Sequence, residues 1–247
     1  MLAEVAPALR SAGQVAVLTG AGVSAESGIP TFRDALTGLW ADYRPEDLAT
    51  PQGFRRNPDL VWQWYRIRRL ALAESLPNVG HRALAAMERL VPRLTLMTQN
   101  VDGLHARAGS RDVVELHGNI GRVKCLECNR VAESFEDAET VPRCPACGGM
   151  LRPDVVWFGE FLPPRALVRA QEAASACEVF LSVGTSNLVE PAASLPWIAA
   201  GRGALVVVIN MTDEGQRTGE RIRHLTGPSG QILPRLLAAA WPDQPSA

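Results

Sequence analysis

The sequence predicts an α/β fold in which a parallel sheet carries helices on both faces and a smaller lobe interrupts the chain. Three observations predict it. Apolar runs at 14–18, 94–98, 113–116, 178–183 and 204–209 alternate with helical stretches such as His81 to Leu90, Arg165 to Ala176 and Gln231 to Ala240. That rhythm belongs to a sheet whose strands are joined by crossover helices. The first apolar run, Val15 to Leu18, empties into a glycine-rich turn at Gly20-Ala21-Gly22. Two cysteine pairs, Cys125-x-x-Cys128 and Cys144-x-x-Cys147, are separated by a polar, Glu-rich stretch that interrupts the strand pattern.

The glycine turn is the first element with chemistry. Gly20 and Gly22 let the backbone turn tightly and approach a pyrophosphate, whose charge is met by free N–H groups opening the next helix. Alone, the motif also fits a tight structural turn. An ordinary Rossmann enzyme should end a second strand in an acidic residue about 20 positions later. The segment Glu26 to Tyr43 shows no strand pattern and is rich in Gly, Pro and polar groups. It reads as a long loop folding over a ligand.

The next strand, Arg93 to Met97, delivers Thr98-Gln99-Asn100-Val101-Asp102-Gly103 at its carboxyl end, and Val113 to Leu116 delivers His117-Gly118. Open α/β sheets bind ligands at such strand ends. His117 can act as a general base near neutral pH without special tuning. Each residue singly fits a satisfied turn or cap, but their arrival at one edge favours a site. His81, His105 and His224 lack a supporting constellation and read as core or surface residues.

The spacing of Cys125, Cys128, Cys144 and Cys147 is that of a tetrahedral zinc site. Four thiolates fill the coordination sphere and leave no position for a catalytic water, so one structural zinc is expected. Cys177 reads as a small buried hydrophobe. The 247 residues are 47% hydrophobic and 21% charged, with a net charge of −1, as in a globular chain. No basic face points to direct nucleic-acid binding. The first residues lack the pattern of a signal peptide, and the longest strongly apolar run, Ala204 to Ile209, is too short to span a bilayer. A cytoplasmic protein with no membrane partner is expected.

Together these segments resemble the sirtuin family of NAD-dependent protein-lysine deacylases. The resemblance rests on Gly20 through Arg33, Thr98 through Asp102, His117-Gly118, the four cysteines, Val155-Val156-Trp157-Phe158-Gly159-Glu160, Gly184-Thr185-Ser186 and Asn210, in family order over most of the chain. It implies that NAD is cleaved at its nicotinamide–ribose bond, with the acyl-lysine oxygen as nucleophile and the acyl group passing to ADP-ribose. His117 would draw a proton from a ribose hydroxyl, while Asn100 and Asp102 would line the nicotinamide pocket. Gly20, Ala21, Gly22, Ser24, Phe32, Arg33 and Gln99 would bind the cofactor. Gly184, Thr185, Ser186, Asn210 and Ser229 would sit around its phosphates and adenosine. Val156, Phe158, Gly159 and Glu160 would pair with the substrate peptide as an added strand. Asp154 departs slightly from the family pattern and receives no role.

The acyl preference is read from Tyr65 and Arg68. Three apart on a helix, they share a face, and a phenol beside a guanidinium suits a carboxylate. The pair resembles the Tyr-x-x-Arg signature of class III sirtuins, which remove succinyl, malonyl and glutaryl groups. Asp34-Ala35 resembles the wider acyl pocket of that class, with Ala35 lining it. Acetyl-lysine would also be accepted. Without the family context, a solvated Arg-rich helix is the ordinary reading.

The expected organisation is a Rossmann-like domain from 1–34, 77–121 and 152–247. A helical insertion at 35–76 and a zinc module at 122–151 would form the small lobe, with NAD and an acyl-lysine protein or peptide in the cleft between lobes. A monomer is expected. The rival readings are a protein mono-ADP-ribosyltransferase, a deacetylase with no acidic-acyl preference, and a non-catalytic binding module.

Overall fold

The structure is a computed structural model that describes residues 2–29, 42–212 and 218–243. The chain opens with α1 (Leu2–Ser11) and β1 (Gln14–Thr19), and from residue 45 onward come α2 (Pro45–Leu48), α3 (Pro51–Arg56), α4 (Pro58–Glu74) and α5 (Val79–Leu90). Then follow β2 (Arg93–Thr98), α6 (Leu104–Arg107), β3 (Val113–Glu115), β4 (Gly118–Cys125), β5 (Val131–Ala132) and β6 (Leu151–Val155). The chain continues with α7 (Pro164–Ala176), β7 (Val179–Val183), α8 (Leu195–Gly201), β8 (Leu205–Asn210), β9 (Ile222–Thr226) and α9 (Ser229–Ala240).

A six-stranded sheet runs in the order β3-β2-β1-β7-β8-β9, and every pairing in it is parallel. This is the Rossmann-like order. From β1 the chain adds β2 and β3 on one side and β7, β8 and β9 on the other, which makes the carboxyl ends of β1 and β7 the topological switch point where such sheets bind ligands. Successive side chains alternate between faces. Val15 and Val17 of β1 join a core with α1, α5 and α9, while Ala16 and Leu18 join a second core with α7 and α8. Cover on both faces explains why these strands read as unbroken apolar runs.

The sheet contains one strand more than the five apolar runs announced. That strand, β9, is an edge in which only Leu225 is buried. Its Ile222-Arg223-His224-Leu225-Thr226 sequence carries no continuous apolar signal because one side needs no neighbour.

A second sheet, in the order β5-β4-β6, is antiparallel. It packs against α2, α3 and α4 through Leu48, Phe54, Val61, Trp64 and Tyr65 on one side and Ile120, Val155 and Trp157 on the other. A further small core joins Trp62 of α4 to Val123, Cys125, Cys144 and Leu151. Helices α2, α3 and α4 therefore share their buried surface with the cysteine-bearing sheet. None of the described helices is long and apolar enough to cross a membrane.

Candidate active site

At the switch point the loops after β1 and β7 touch backbone to backbone. The Gly20 N–H donates to Val183 O at 3.0 Å and the Gly22 N–H to Gly184 O at 2.8 Å. A Cβ on Gly20 would lie 2.8 Å from Gly184 O, and one on Gly22 2.8 Å from the Gly184 Cα. Gly184 itself adopts φ +59°, with no room for a side chain against Val23 N. Glycine is thus required by close approach of the two loops, and Ala21 is carried between two such contacts. The Thr185 hydroxyl accepts from Gln99 Nε2 at 2.8 Å, and Asn210 Nδ2 donates to Thr185 O at 3.1 Å. The ends of β2, β7 and β8 are therefore tied together, with Ser186 exposed beside them. Ser229 opens α9, buried, where Glu26 caps the helix by accepting from the Gly230 N–H at 2.7 Å and from Ser229 Oγ at 3.4 Å. Phe32, Arg33 and Ala35 lie outside the described residues.

Under this crossing lies a buried polar floor. Ser24 Oγ donates to Asp102 Oδ2 at 2.7 Å and accepts from Asn100 Nδ2 at 3.0 Å. Asn100 Nδ2 also reaches Gly20 O at 3.1 Å, and Asp102 Oδ1 receives the Leu104 N–H at 2.9 Å. His81 Nε2 lies 3.3 Å from Ser24 Oγ, whose only proton is directed at Asp102, so the imidazole is the donor there. Its Nδ1 accordingly accepts the Asn78 N–H at 3.3 Å. By the same argument His105 Nε2 donates to Thr19 Oγ1 at 2.8 Å, because Thr19 donates to Thr98 Oγ1 at 2.8 Å. The two rings pack at 4.8 Å between centroids. Burial holds the His81 imidazole down at about 4, the Asp102 carboxylate opposing, and holds His105 at about 3 with His81 adding to the effect. Both are neutral at physiological pH.

No motif in the sequence marks this pair. His81 and His105 are core residues, but they also complete the constellation around Ser24 and Thr19. The Asn78 side chain, which caps α5 and donates to Val23 O at 2.8 Å, docks His81 onto the loop after β1. An Asn three residues before a His at a helix start was the only available signal.

His117 follows β3. Its Nδ1 lies 3.0 Å from Gln99 O, so Nδ1 carries the hydrogen and Nε2 keeps a free lone pair. Burial lowers its pKa, with the Gln99 hydrogen bond opposing, which favours the neutral base. Gly118, at φ +78°, lets β4 run so close to β6 that a Cβ would fall 2.1 Å from Asp154 O. The His117 carbonyl accepts the Val156 N–H at 2.9 Å. Asp154 is occupied in this sheet by Arg122, at 3.1 Å, and by Lys124.

The four cysteines of the second sheet meet. Cys125 Sγ is 3.4 Å from Cys147 Sγ, Cys128 Sγ is 3.8 Å from Cys144 Sγ, and all four sulfurs lie within 4.8 Å of one another. Tetrahedral Zn–S bonds of about 2.3 Å would put the sulfurs roughly 3.8 Å apart, so the cluster fits one structural zinc.

Residues 20–191 match the family model described as Sir2 family. The chain belongs to the Sir2 family. This sirtuin is 51% identical over 244 residues to NAD-dependent protein deacylase 1 of Pseudomonas aeruginosa, covering 95% of this chain and 97% of that one. A solved Sir2 homolog–NAD complex superimposes with a TM-score of 0.89 at 43% identity, covering 96% of this chain and 93% of the other. Sir2Af2 bound to a myristoylated histone peptide gives 0.77 at 34% identity, covering 98% and 96%.

In this sirtuin α4 begins with Asn57 as its cap and turns Trp64, Tyr65 and Arg69 inward. The Arg68 guanidinium stacks 4.6 Å from the Trp64 ring centroid and 5.6 Å from that of Tyr65. Burial lowers the Arg68 pKa, and Tyr65 and Asp102 oppose the shift. Beyond β6 the chain turns: Glu160 N–H donates to Trp157 O at 3.0 Å, Phe158 N–H donates to Ala49 O at 2.9 Å, and Gly159 takes φ +84°. Phe158 is exposed. Both Glu160 oxygens are engaged by Arg152, at 2.5 and 2.8 Å, so this carboxylate holds the turn.

Proposed function

We propose that this chain is an NAD-dependent protein-lysine deacylase that releases nicotinamide, passes the acyl group to ADP-ribose, and favours succinyl and malonyl over acetyl. The observation that carries the reading is His117, a neutral imidazole whose tautomer is fixed by Gln99 and whose free Nε2 stands at the strand ends that also present Asn100 and Asp102. NAD supplies an activated glycosidic bond and a ribose whose hydroxyls can be deprotonated. His117 takes such a proton at Nε2. Asn100 and Asp102, oriented by Ser24, would face the nicotinamide, and the Gly20–Gly22–Gly184 crossing with Ala21, Thr185, Ser186, Asn210 and Ser229 would hold the rest of the dinucleotide.

Arg68 supports the acidic-acyl preference. Among the described residues it has no hydrogen-bond or ion-pair partner, so its charge is stacked on two rings and left for a ligand carboxylate. A peptide laid along Val156 to Glu160 meets Gly159 and the carbonyls of that stretch, because the N–H groups of Val156, Trp157, Phe158 and Glu160 are already bonded. The packing of α2 to α4 on the second sheet favours the two-lobe division, with the peptide in the cleft. The four-thiolate site fits a reducing compartment, and the reading places the enzyme in the cytoplasm as a monomer.

The test is turnover of matched succinyl-lysine and acetyl-lysine peptides with NAD, followed by mass spectrometry. His117→Tyr should lower kcat by about 10²- to 10⁴-fold, the usual contribution of a general base, without loss of fold. Retained turnover sinks the mechanism, and ADP-ribose appearing on protein points to a transferase instead. Indifference of the succinyl-to-acetyl ratio to Tyr65→Phe and Arg68→Met removes the acidic preference alone.

A further inference from the structure

The Tyr65 hydroxyl has one proton to give, and the structure dictates where it cannot go. Tyr65 is 3% exposed, and its oxygen accepts the Trp157 Nε1–H at 3.0 Å. An indole N–H only donates, so the phenol proton must point away from Trp157. Among the described residues no acceptor receives it. A buried donor left without a partner is costly, and a ligand acceptor relieves that cost. Burial raises the phenol pKa, the neighbouring Arg68 opposing, so the proton is present at neutral pH.

Trp157 is itself held against rotation. The Arg152 guanidinium lies 3.3 Å above its ring centroid, and Phe54 packs on it at 5.3 Å between centroids. Glu160 receives the Trp157 backbone N–H at 2.8 Å while pairing with Arg152, which is 2% exposed. A buried ion pair is weak evidence for stability, so the arrangement calls for another purpose. Resting on the carboxylate reading of Tyr65 and Arg68, we propose that Trp157 is a positioning residue for acyl selectivity. Its indole N–H fixes the Tyr65 hydroxyl as a donor to the acidic acyl group, and the Arg152–Glu160 pair fixes the indole.

The experiment measures kcat and KM on succinyl-lysine and acetyl-lysine peptides for wild type, Trp157→Phe, Tyr65→Phe and the double variant. Trp157→Phe should raise KM for the succinyl peptide about fivefold to tenfold, the loss of one orienting hydrogen bond. The succinyl-to-acetyl ratio of kcat/KM should fall by a similar factor, and in the Tyr65→Phe background the Trp157 change should leave that ratio unaltered, since the two act as one unit. An equal fall on both peptides, or additive effects in the double variant, overturns the proposal. Should Trp157→Phe misfold, 3-benzothienylalanine at position 157 keeps the shape and deletes the N–H, and an unchanged ratio there overturns it equally. A ratio lost in Tyr65→Phe but kept in both position-157 variants sinks the proposal alone. A ratio unmoved by Tyr65→Phe removes the carboxylate reading and the proposal with it.

Discussion

The cysteine cluster and the polar floor that contains Asn100 and Asp102 are built in opposite ways. The cluster takes its four sulfurs from one stretch of chain between Cys125 and Cys147, with Cys128 and Cys147 exposed. The floor draws Thr19, Ser24, His81, Asn100, Asp102 and His105 from separate segments, and five of these six side chains are buried. An ion can organise a site from outside, through short local spacings. A network of neutral and charged groups away from water has to be satisfied group by group from the surrounding fold.

Stripping the metal is the strongest way to break this comparison. A chelator, or Cys144→Ser, should cost about 4 kcal/mol or more in stability, because metal binding and local folding are one event. One zinc per chain should be released in a colorimetric assay. Unchanged thermal stability of the stripped protein would show that the module folds on its own packing, as the floor does.

Acid acts on the floor. The folded pKa values of His81, about 4, and His105, about 3, lie below the ordinary 6.5. The unfolded chain therefore binds more protons, and stability rises with pH. The contribution is complete above about pH 6.5 and is lost as pH falls through about 4 for His81 and about 3 for His105, by about 3 kcal/mol for each histidine at pH 4. Thermal midpoints measured across that window should fall less steeply for His105→Gln, which keeps a donor toward Thr19 without the titration. Identical slopes would place the acid sensitivity elsewhere.

Ser24→Ala sharpens the comparison with the smallest effect. It deletes the acceptor of Asn100 and His81 and the donor of Asp102, at a cost of about 1–3 kcal/mol. Turnover should fall along with stability. An unchanged Tm from calorimetry would mean that water replaces the hydroxyl and the floor is wetter than its burial suggests.

Much of the molecule was legible because its signals are local. Apolar runs located β1, β2, β3, β7 and β8, since burial on both sheet faces leaves no polar alternation to obscure them. The cysteine spacing located the metal cluster. Tyr65 and Arg68 could be placed on one helix face by their separation alone. The edge strand β9 escaped for the converse reason, and the second sheet escaped because β4 alternates buried with more exposed residues across a bulge at Asn119 to Val123 and β6 carries Arg152, Pro153 and Asp154 between its two apolar ends.

The sequence by itself determined the fold class, the strand-end clustering of Asn100, Asp102 and His117, and the four thiolates, because periodicity and short spacings are properties of the chain before it folds. Only the tertiary structure decided which imidazoles are donors, that Ser24 joins Asn100 to Asp102, and that Trp157 faces the Tyr65 hydroxyl from 92 residues away. Those contacts depend on how the sheet and helices bring distant segments to hydrogen-bonding distance in a dry interior, where each polar group must find a partner that sequence separation does not reveal.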